Sequence, residues 1–280
     1  MLVSWSWEWA SCTIFSRAAV DTKEQGEIMT TFVKKLPANT IGRDFTIGDL
    51  HGCYDLLMEK MQLVGFDKSK DRLFSVGDLT DRGPDSMKCL GLLNEPWLFA
   101  VQGNHDRMMM CYCGFQYSAY HSPRDFINNG GEWIQDPTIT DGMREAWCRI
   151  MEEKMPIVFD VGTGPNGFKI THAYLYSAKV NPDLAVWDRS LLDEIHYSES
   201  FTEEMVKNYK ENCGQFFQLS KRDKRKKVVF VGHNTLLRGN IIMIDNHVMI
   251  DQGAYRKMAH PTEGYDLTIV NTKEVIDKLK

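Results

Sequence analysis

FTIGDLHG, residues 45–52, is a short apolar run that stops at Gly48 and is followed at once by a carboxylate, Asp49, and an imidazole, His51. Phe45, Thr46 and Ile47 are residue types that favour extended backbone, and a glycine behind them marks the turn where a strand ends. The pattern returns four times. LFSVGDLTDRG (73–83) puts Asp78 behind a strand, LFAVQGNHD (98–106) puts Asn104 and His105 there, FKITHA (168–173) supplies His172, and VVFVGHN (228–234) supplies His233. Longer amphipathic stretches at 54–64, 84–93, 105–113, 143–155 and 202–217 read as helices. Pro84 suits a first helical turn, where its missing amide donor is not needed. Strands alternating with helices predict an α/β protein, and open α/β sheets carry their sites at the C-terminal ends of strands.

Each signal is weak by itself. An Asp-x-His pair is more often an ordinary turn, a single buried histidine is usually a hydrogen-bonded core residue, Asp78 could cap a helix, and Asn104 could simply favour a tight turn. Their joint occurrence, in order and each at a strand end, points instead to metal binding. Asp49 and His51 can grip one cation, while the two oxygens of Asp78 can bridge two. Mixed nitrogen and oxygen donors suit manganese, iron or zinc better than calcium or magnesium.

Together GDLHG, GDLTDRG, GNHD, THA and GHN resemble the phosphoprotein phosphatases of the metallophosphoesterase superfamily, and among them the bacteriophage lambda type and its bacterial relatives. EPWLFAVQGNHDRMMM (95–110), NNGGEW (128–133) and AVWDR (185–189) add to the likeness, which runs from Phe45 to the C-terminus. The resemblance implies one layered α/β domain, a central β-sandwich flanked by helices, with a di-metal site at the C-terminal strand ends. It gives Asp49, His51 and Asp78 to the first cation and Asp78, Asn104, His172 and His233 to the second, with Asp78 as the bridge. It makes His105 the general acid, with Asp81 as its partner, and sets Arg82, Arg189 and Asn104 at the substrate phosphate. It further implies two divalent cations, manganese first and iron, zinc or nickel as alternatives. The activity implied is removal of phosphate from serine or threonine of phosphoproteins or phosphopeptides by a metal-bridging hydroxide in line with the leaving group.

Those roles are chemically apt. A serine or threonine alkoxide is a poor leaving group and needs a proton, which an imidazolium held by a carboxylate can give. Guanidinium groups match phosphate geometry and stay charged. The bland alternative for Arg189 is a surface salt bridge. Asp106 stands where the family usually carries glutamate, a change that bears on local hydrogen bonding because that residue is no metal ligand. Asn234 and Thr235 follow His233 where many nucleases and cyclic phosphodiesterases carry a second histidine, which favours the phosphatase branch. The enzymatic alternative is symmetrical diadenosine tetraphosphate hydrolysis, by a sister family that typically has alanine where Asp81 stands. A phosphoesterase of nucleotides or RNA ends is a wider possibility. A binding module that had lost catalysis should lack a ligand or the acid histidine, and none is missing.

Composition sets the outer bounds. With 280 residues, 43% hydrophobic and 25% charged, the chain has the balance of a soluble globular protein. A net charge of -5 argues against nucleic-acid wrapping, and the basic run KRDKRKK at 221–227 reads as a solvated loop. Seven cysteines without framework spacing suggest reduced thiols in a cytoplasm, the host's if the protein is phage-encoded. Cys111 and Cys113 are too close for a CxxC motif and read as buried or incidental thiols. No run approaches the roughly 20 apolar residues of a membrane span. Residues 1–40 show no period and read as an extension, with the domain at 41–280. MLVSWSWEWASCTIF lacks both the basic and the apolar region of a secretory signal. Met29 reads as a natural start, against the competing idea that Trp5, Trp7 and Trp9 form one apolar strand face. Residues 115–141 read as an insert or cap of undefined shape.

Overall fold

The short apolar runs become strands because each can bury both of its faces. In this computed structural model, which describes residues 32–116, 122–175, 180–190, 216–236 and 240–280, all four residues of VVFV are buried. Strands covered on both sides read as continuous apolar runs rather than alternating ones. The strands are β1 (Val33–Leu36), β2 (Asp44–Ile47), β3 (Arg72–Ser75), β4 (Leu98–Ala100), β5 (Val158–Val161), β6 (Phe168–Ile170), β7 (Phe216–Gln218), β8 (Val228–Val231), β9 (Ile241–Ile244), β10 (His247–Met249) and β11 (Ile269–Asn271). One sheet has the order β1-β5-β6-β8-β10-β9-β7 and the other β11-β2-β3-β4.

Strands β2, β3 and β4 are mutually parallel, as are β6, β8 and β10. Parallel neighbours need a crossover. Helix α1 (Tyr54–Leu63) provides it from β2 to β3, and α2 (Ser86–Gly91) from β3 to β4. Helices α3 (Asn104–Tyr112), α4 (Pro123–Phe126) and α5 (Asp141–Lys154) follow β4. All of them close one face of the smaller sheet through a core that includes Leu57, Leu90, Met109 and Met151. The other face meets the larger sheet. There the ring of Phe74 on β3 lies 5.8 Å from Phe159 on β5 and 5.3 Å from Phe168 on β6, nearly perpendicular to both. Edge-to-face packing of this kind is favourable beyond the area it buries. The result is the flanked β-sandwich expected from the sequence.

Three readings change. Strand β1 pairs in parallel with β5, Val33 opposite Val158, so the sheet already includes residues upstream of the expected boundary at 41. Of the helix expected at 202–217, residues 202–215 lie outside the described residues. Phe216 and Phe217 form part of β7, paired in parallel with β9, because burying Phe217 against Ile242 and Val229 outweighs helical periodicity. The region 115–141 has a defined form over its described residues: α4, a π-type turn at Ile127–Gly131 and a 3-10 turn at Glu132–Gln135. KRDKRKK is a loop, although Arg222 is buried and donates to the carbonyls of Pro165 and Lys226. Residues 1–31, with the three tryptophans and Met29, lie outside the described residues; Thr31–Lys280 forms one compact unit. No helix among the described residues is long and apolar enough to cross a membrane.

Candidate metal centre

Both sheets end in one place. The chain leaving β2 carries Asp49 and His51, that leaving β3 carries Asp78, and that leaving β4 carries Asn104 and His105. From the larger sheet come His172 after β6, His233 after β8 and Asp251 after β10. Turning these side chains inward forces the backbone into the left-handed region. His51 (φ 43°), Asp78 (49°), Asp81 (75°), Arg82 (67°) and His233 (67°) lie there, and among the described non-glycine residues only Asp245 joins them. Such residues cost about 1–3 kcal/mol each and persist where the surroundings over-determine them. Here the N–H groups of Leu50 and His51 both donate to the Asp78 carbonyl, at 3.1 and 2.8 Å, which ties the first two turns together. Gly103 and Gly232 are needed for close approach, because a Cβ on either would overlap the carboxylate of Asp78 or Asp49.

Asp106 completes this scaffold. It is fully buried, and its carboxylate accepts from the N–H groups of Asp78 and Gly103, both at 2.8 Å, and of Leu79 at 3.1 Å. Its carboxylate thus fastens the Asp78 turn to the start of α3.

The histidines are oriented from behind. His51 Nδ1 lies 2.9 Å from the Thr80 carbonyl, His172 Nδ1 2.7 Å from that of Val76, and His105 Nδ1 2.7 Å from Asp81 Oδ2. An oxygen at that distance requires the proton on Nδ1, which in neutral His51 and His172 leaves Nε2 with its lone pair facing the site. Burial pulls the pKa of His51, His172 and His233 below the ordinary imidazole value, so these rings are neutral donors. Burial, reinforced by the nearby Asp251 and Asp78 carboxylates, raises Asp49. Burial also works against ionised Asp78, yet the imidazoles of His172, His105 and His51 and the His105 N–H at 2.9 Å outweigh it and hold Asp78 below the usual carboxylate range.

These donors converge. His51, Asp78 and His105 offer atoms within 4.8 Å of one another, as do Asp49, Asp78 and His172, and Asp78 is common to both groups. His172 Nε2 and His233 Nδ1 reach Asn104 Oδ1 at 2.8 and 2.9 Å. With the proton of His172 on Nδ1, its Nε2 lone pair points at another lone pair, an arrangement that a shared cation relieves. Buried carboxylates likewise need pairing or a metal. The residues present therefore fit divalent cations. The geometric groups do not repeat the partition expected from the sequence, since Asp49 groups with His172 and His105 with His51, but all six expected ligands line one buried cluster.

Around it stand the residues expected to act on substrate. Asp81, fully buried, accepts from His105 through Oδ2 and from Trp133 Nε1 through Oδ1, also at 2.7 Å. Arg82 is exposed and directs Nη1 to His51 Nε2 and Nη2 to His105 Nε2, both at 2.8 Å. Arg189 is exposed at the rim, donating from Nη1 to the His233 carbonyl and Asn234 Oδ1 at 3.4 Å. Among the described residues, its partners are these two oxygens and no carboxylate. Sequence reading missed three residues. Trp133 orients Asp81; Asp251 faces Asp49 from the end of β10; and the Tyr255 ring lies 4.8 Å beneath the Arg82 guanidinium and 5.1 Å from the His51 ring. Only Asp251, in MIDQG, carried the strand-end signal that found the others.

The chain matches the calcineurin-like phosphoesterases over residues 45–267. It is 34% identical over 154 residues to serine/threonine-protein phosphatase 1 of Salmonella typhimurium, covering 53% of this chain and 69% of that one. It is 39% identical over 95 residues to the symmetrical bis(5'-nucleosyl)-tetraphosphatase of Coxiella burnetii, covering 33% of this chain and 28% of that one. A solved protein serine/threonine phosphatase from Saccharomyces cerevisiae superposes with a TM-score of 0.48 at 14% identity, covering 79% of this chain and 70% of that one.

Proposed function

The chain belongs to the calcineurin-like phosphoesterase family, and from that premise we propose that it is a serine/threonine protein phosphatase acting on phosphoproteins in a cytoplasm. Its being a hydrolase follows from the family; the substrate is our reading. The observation that carries it is the His105–Asp81 pair, Nδ1 to Oδ2 at 2.7 Å, anchored by Trp133. An imidazole so held keeps its Nε2 toward the reaction centre and can protonate an alkoxide, the leaving group of a serine or threonine phosphomonoester. A nucleotide phosphate, the leaving group of a dinucleoside tetraphosphate, has far less need of that proton.

Asp49, His51, Asp78, Asn104, His172 and His233 would hold two divalent cations, with manganese our first choice. Cations bound there supply a water activated at neutral pH and neutralise phosphate charge. The chain's own residues do the rest. Arg82, beside His51 and His105, and Arg189, beside His233, would present planar donors to phosphate oxygens. Arg82 lies against His51, His105 and the Tyr255 ring, beside the cluster where a substrate phosphate would meet it.

The second reading, diadenosine tetraphosphate hydrolysis, draws on the 39% identity to the Coxiella burnetii protein. One assay separates the two. Protein loaded with manganese is expected to turn over a phosphoserine peptide with a higher kcat/KM than diadenosine tetraphosphate; the reverse order would replace our reading with the second. Arg189→Ala is expected to raise KM and lower kcat together, because the guanidinium meets the phosphate in both the ground and the transition state. Lysine should restore only part of the loss. Steady-state kinetics on the phosphopeptide check this, and an unchanged variant would return Arg189 to the surface.

A further inference from the structure

We propose that Arg256 selects among substrates by pairing with a carboxylate side chain that lies two residues from the phosphoserine or phosphothreonine. The inference rests on the phosphoprotein reading above and adds to it a preference for acidic sequence. The segment between β10 and β11 passes beside the cluster. Tyr255, whose ring stands against Arg82 and His51, is followed by Arg256 at the start of a short helical turn, Arg256–Ala259. The Arg256 guanidinium is exposed and yet held in place. Its Nε donates to the Tyr255 hydroxyl at 2.9 Å and its Nη1 to the hydroxyl of buried Tyr265 at 3.4 Å, and its central carbon lies 5.5 Å from the centre of either ring. A planar fork fixed by two aromatic partners loses little freedom when it binds.

What this guanidinium lacks is an anion. The acidic side chains of its own segment are engaged elsewhere, Asp266 with Lys60 and Lys257 and Glu263 with His260 Nδ1 at 3.1 Å. Among the described residues, the partners of Arg256 are the two hydroxyls and no carboxylate. Its remaining N–H groups on Nη1 and Nη2 can take both oxygens of a carboxylate. Position then sets which carboxylate. The central carbon of Arg82 lies 4.8 Å from the Tyr255 ring centre and that of Arg256 5.5 Å, so the two guanidinium groups are within the sum of those distances, about 10 Å, of each other. In an extended peptide, side chains two residues apart stand on the same face, about 7 Å from one another. With the phosphate at Arg82, an acidic side chain two residues along therefore comes within reach of Arg256.

The test uses the full chain, loaded with manganese, and phosphoserine peptides that differ only at the second residue before or after the phosphoserine, where they carry glutamate or glutamine. At one of those two places kcat/KM is expected to be about three- to fivefold higher with glutamate, the scale of a partly exposed ion pair. Added salt should shrink the advantage. Arg256→Gln should erase it, and Arg256→Glu should turn the preference toward lysine at the same place. Each ratio is taken within one enzyme, so any loss of stability or metal in a variant divides out. Equal kcat/KM for the glutamate and glutamine peptides in the unmodified chain would overturn the proposal, as would a preference that survives in Arg256→Gln. Turnover of none of the peptides would remove the phosphoprotein reading and this inference with it, whereas equal turnover of all of them removes this inference alone.

Discussion

Asp78→Asn is expected to abolish phosphatase activity while leaving the protein folded. Asp78 belongs to both donor groups, one with His51 and His105 and the other with Asp49 and His172, so a single substitution weakens both cation positions. Asparagine keeps the oxygen that accepts the His105 N–H at 2.9 Å, and like aspartate it tolerates the left-handed backbone at φ 49°. What it lacks is the negative charge. Activation of water by bound cations lowers its pKa from 15.7 to about 7, so losing them should reduce turnover by on the order of 10⁴-fold or more. Elemental analysis should show less than the full metal content, and thermal melting a folded protein. A variant that holds two cations and retains a tenth of the activity would remove Asp78 from the bridging position.

His105→Asn should leave metal content nearly intact and slow turnover of a phosphoserine peptide by about 10²–10⁴-fold, the usual scale of general acid catalysis. The loss on p-nitrophenyl phosphate should be much smaller, since nitrophenolate departs without a proton. Asp81→Asn should show the same dependence on leaving group, because the carboxylate fixes His105 Nδ1 at 2.7 Å and is itself held by Trp133. Comparing the two substrates guards against a trivial explanation. His105 lies within the donor group of His51 and Asp78, and a variant that merely lost metal would fail equally on both substrates. Equal losses would sink the acid role.

The six residues that meet in the buried cluster were legible because each lies at a local event: an apolar run too short and too β-prone for a helix, in most cases a glycine, then a donor residue. Such triplets need no knowledge of the rest of the chain. What each donor meets is another matter. Asn104 reaches His172 across 68 residues and His233 across 129, and no period or spacing connects them. Trp133 reaches Asp81 from a region that sequence could describe only as an insert.

Sequence alone therefore determined the alternation of strands and helices, the identity of the donor residues and their order at the strand ends, since strand propensity, turn glycine and side-chain chemistry are properties of short segments. Tertiary structure decided the rest. It set the strand order of two sheets, the upstream strand β1 and the strand at Phe216–Gln218, each fixed by hydrogen-bonding partners far away in the chain. It grouped Asp49 with His172 and His105 with His51, and it brought Tyr255 under Arg82. Those arrangements depend on which buried surfaces fit together, and that free energy comes from contacts between segments that the sequence keeps apart.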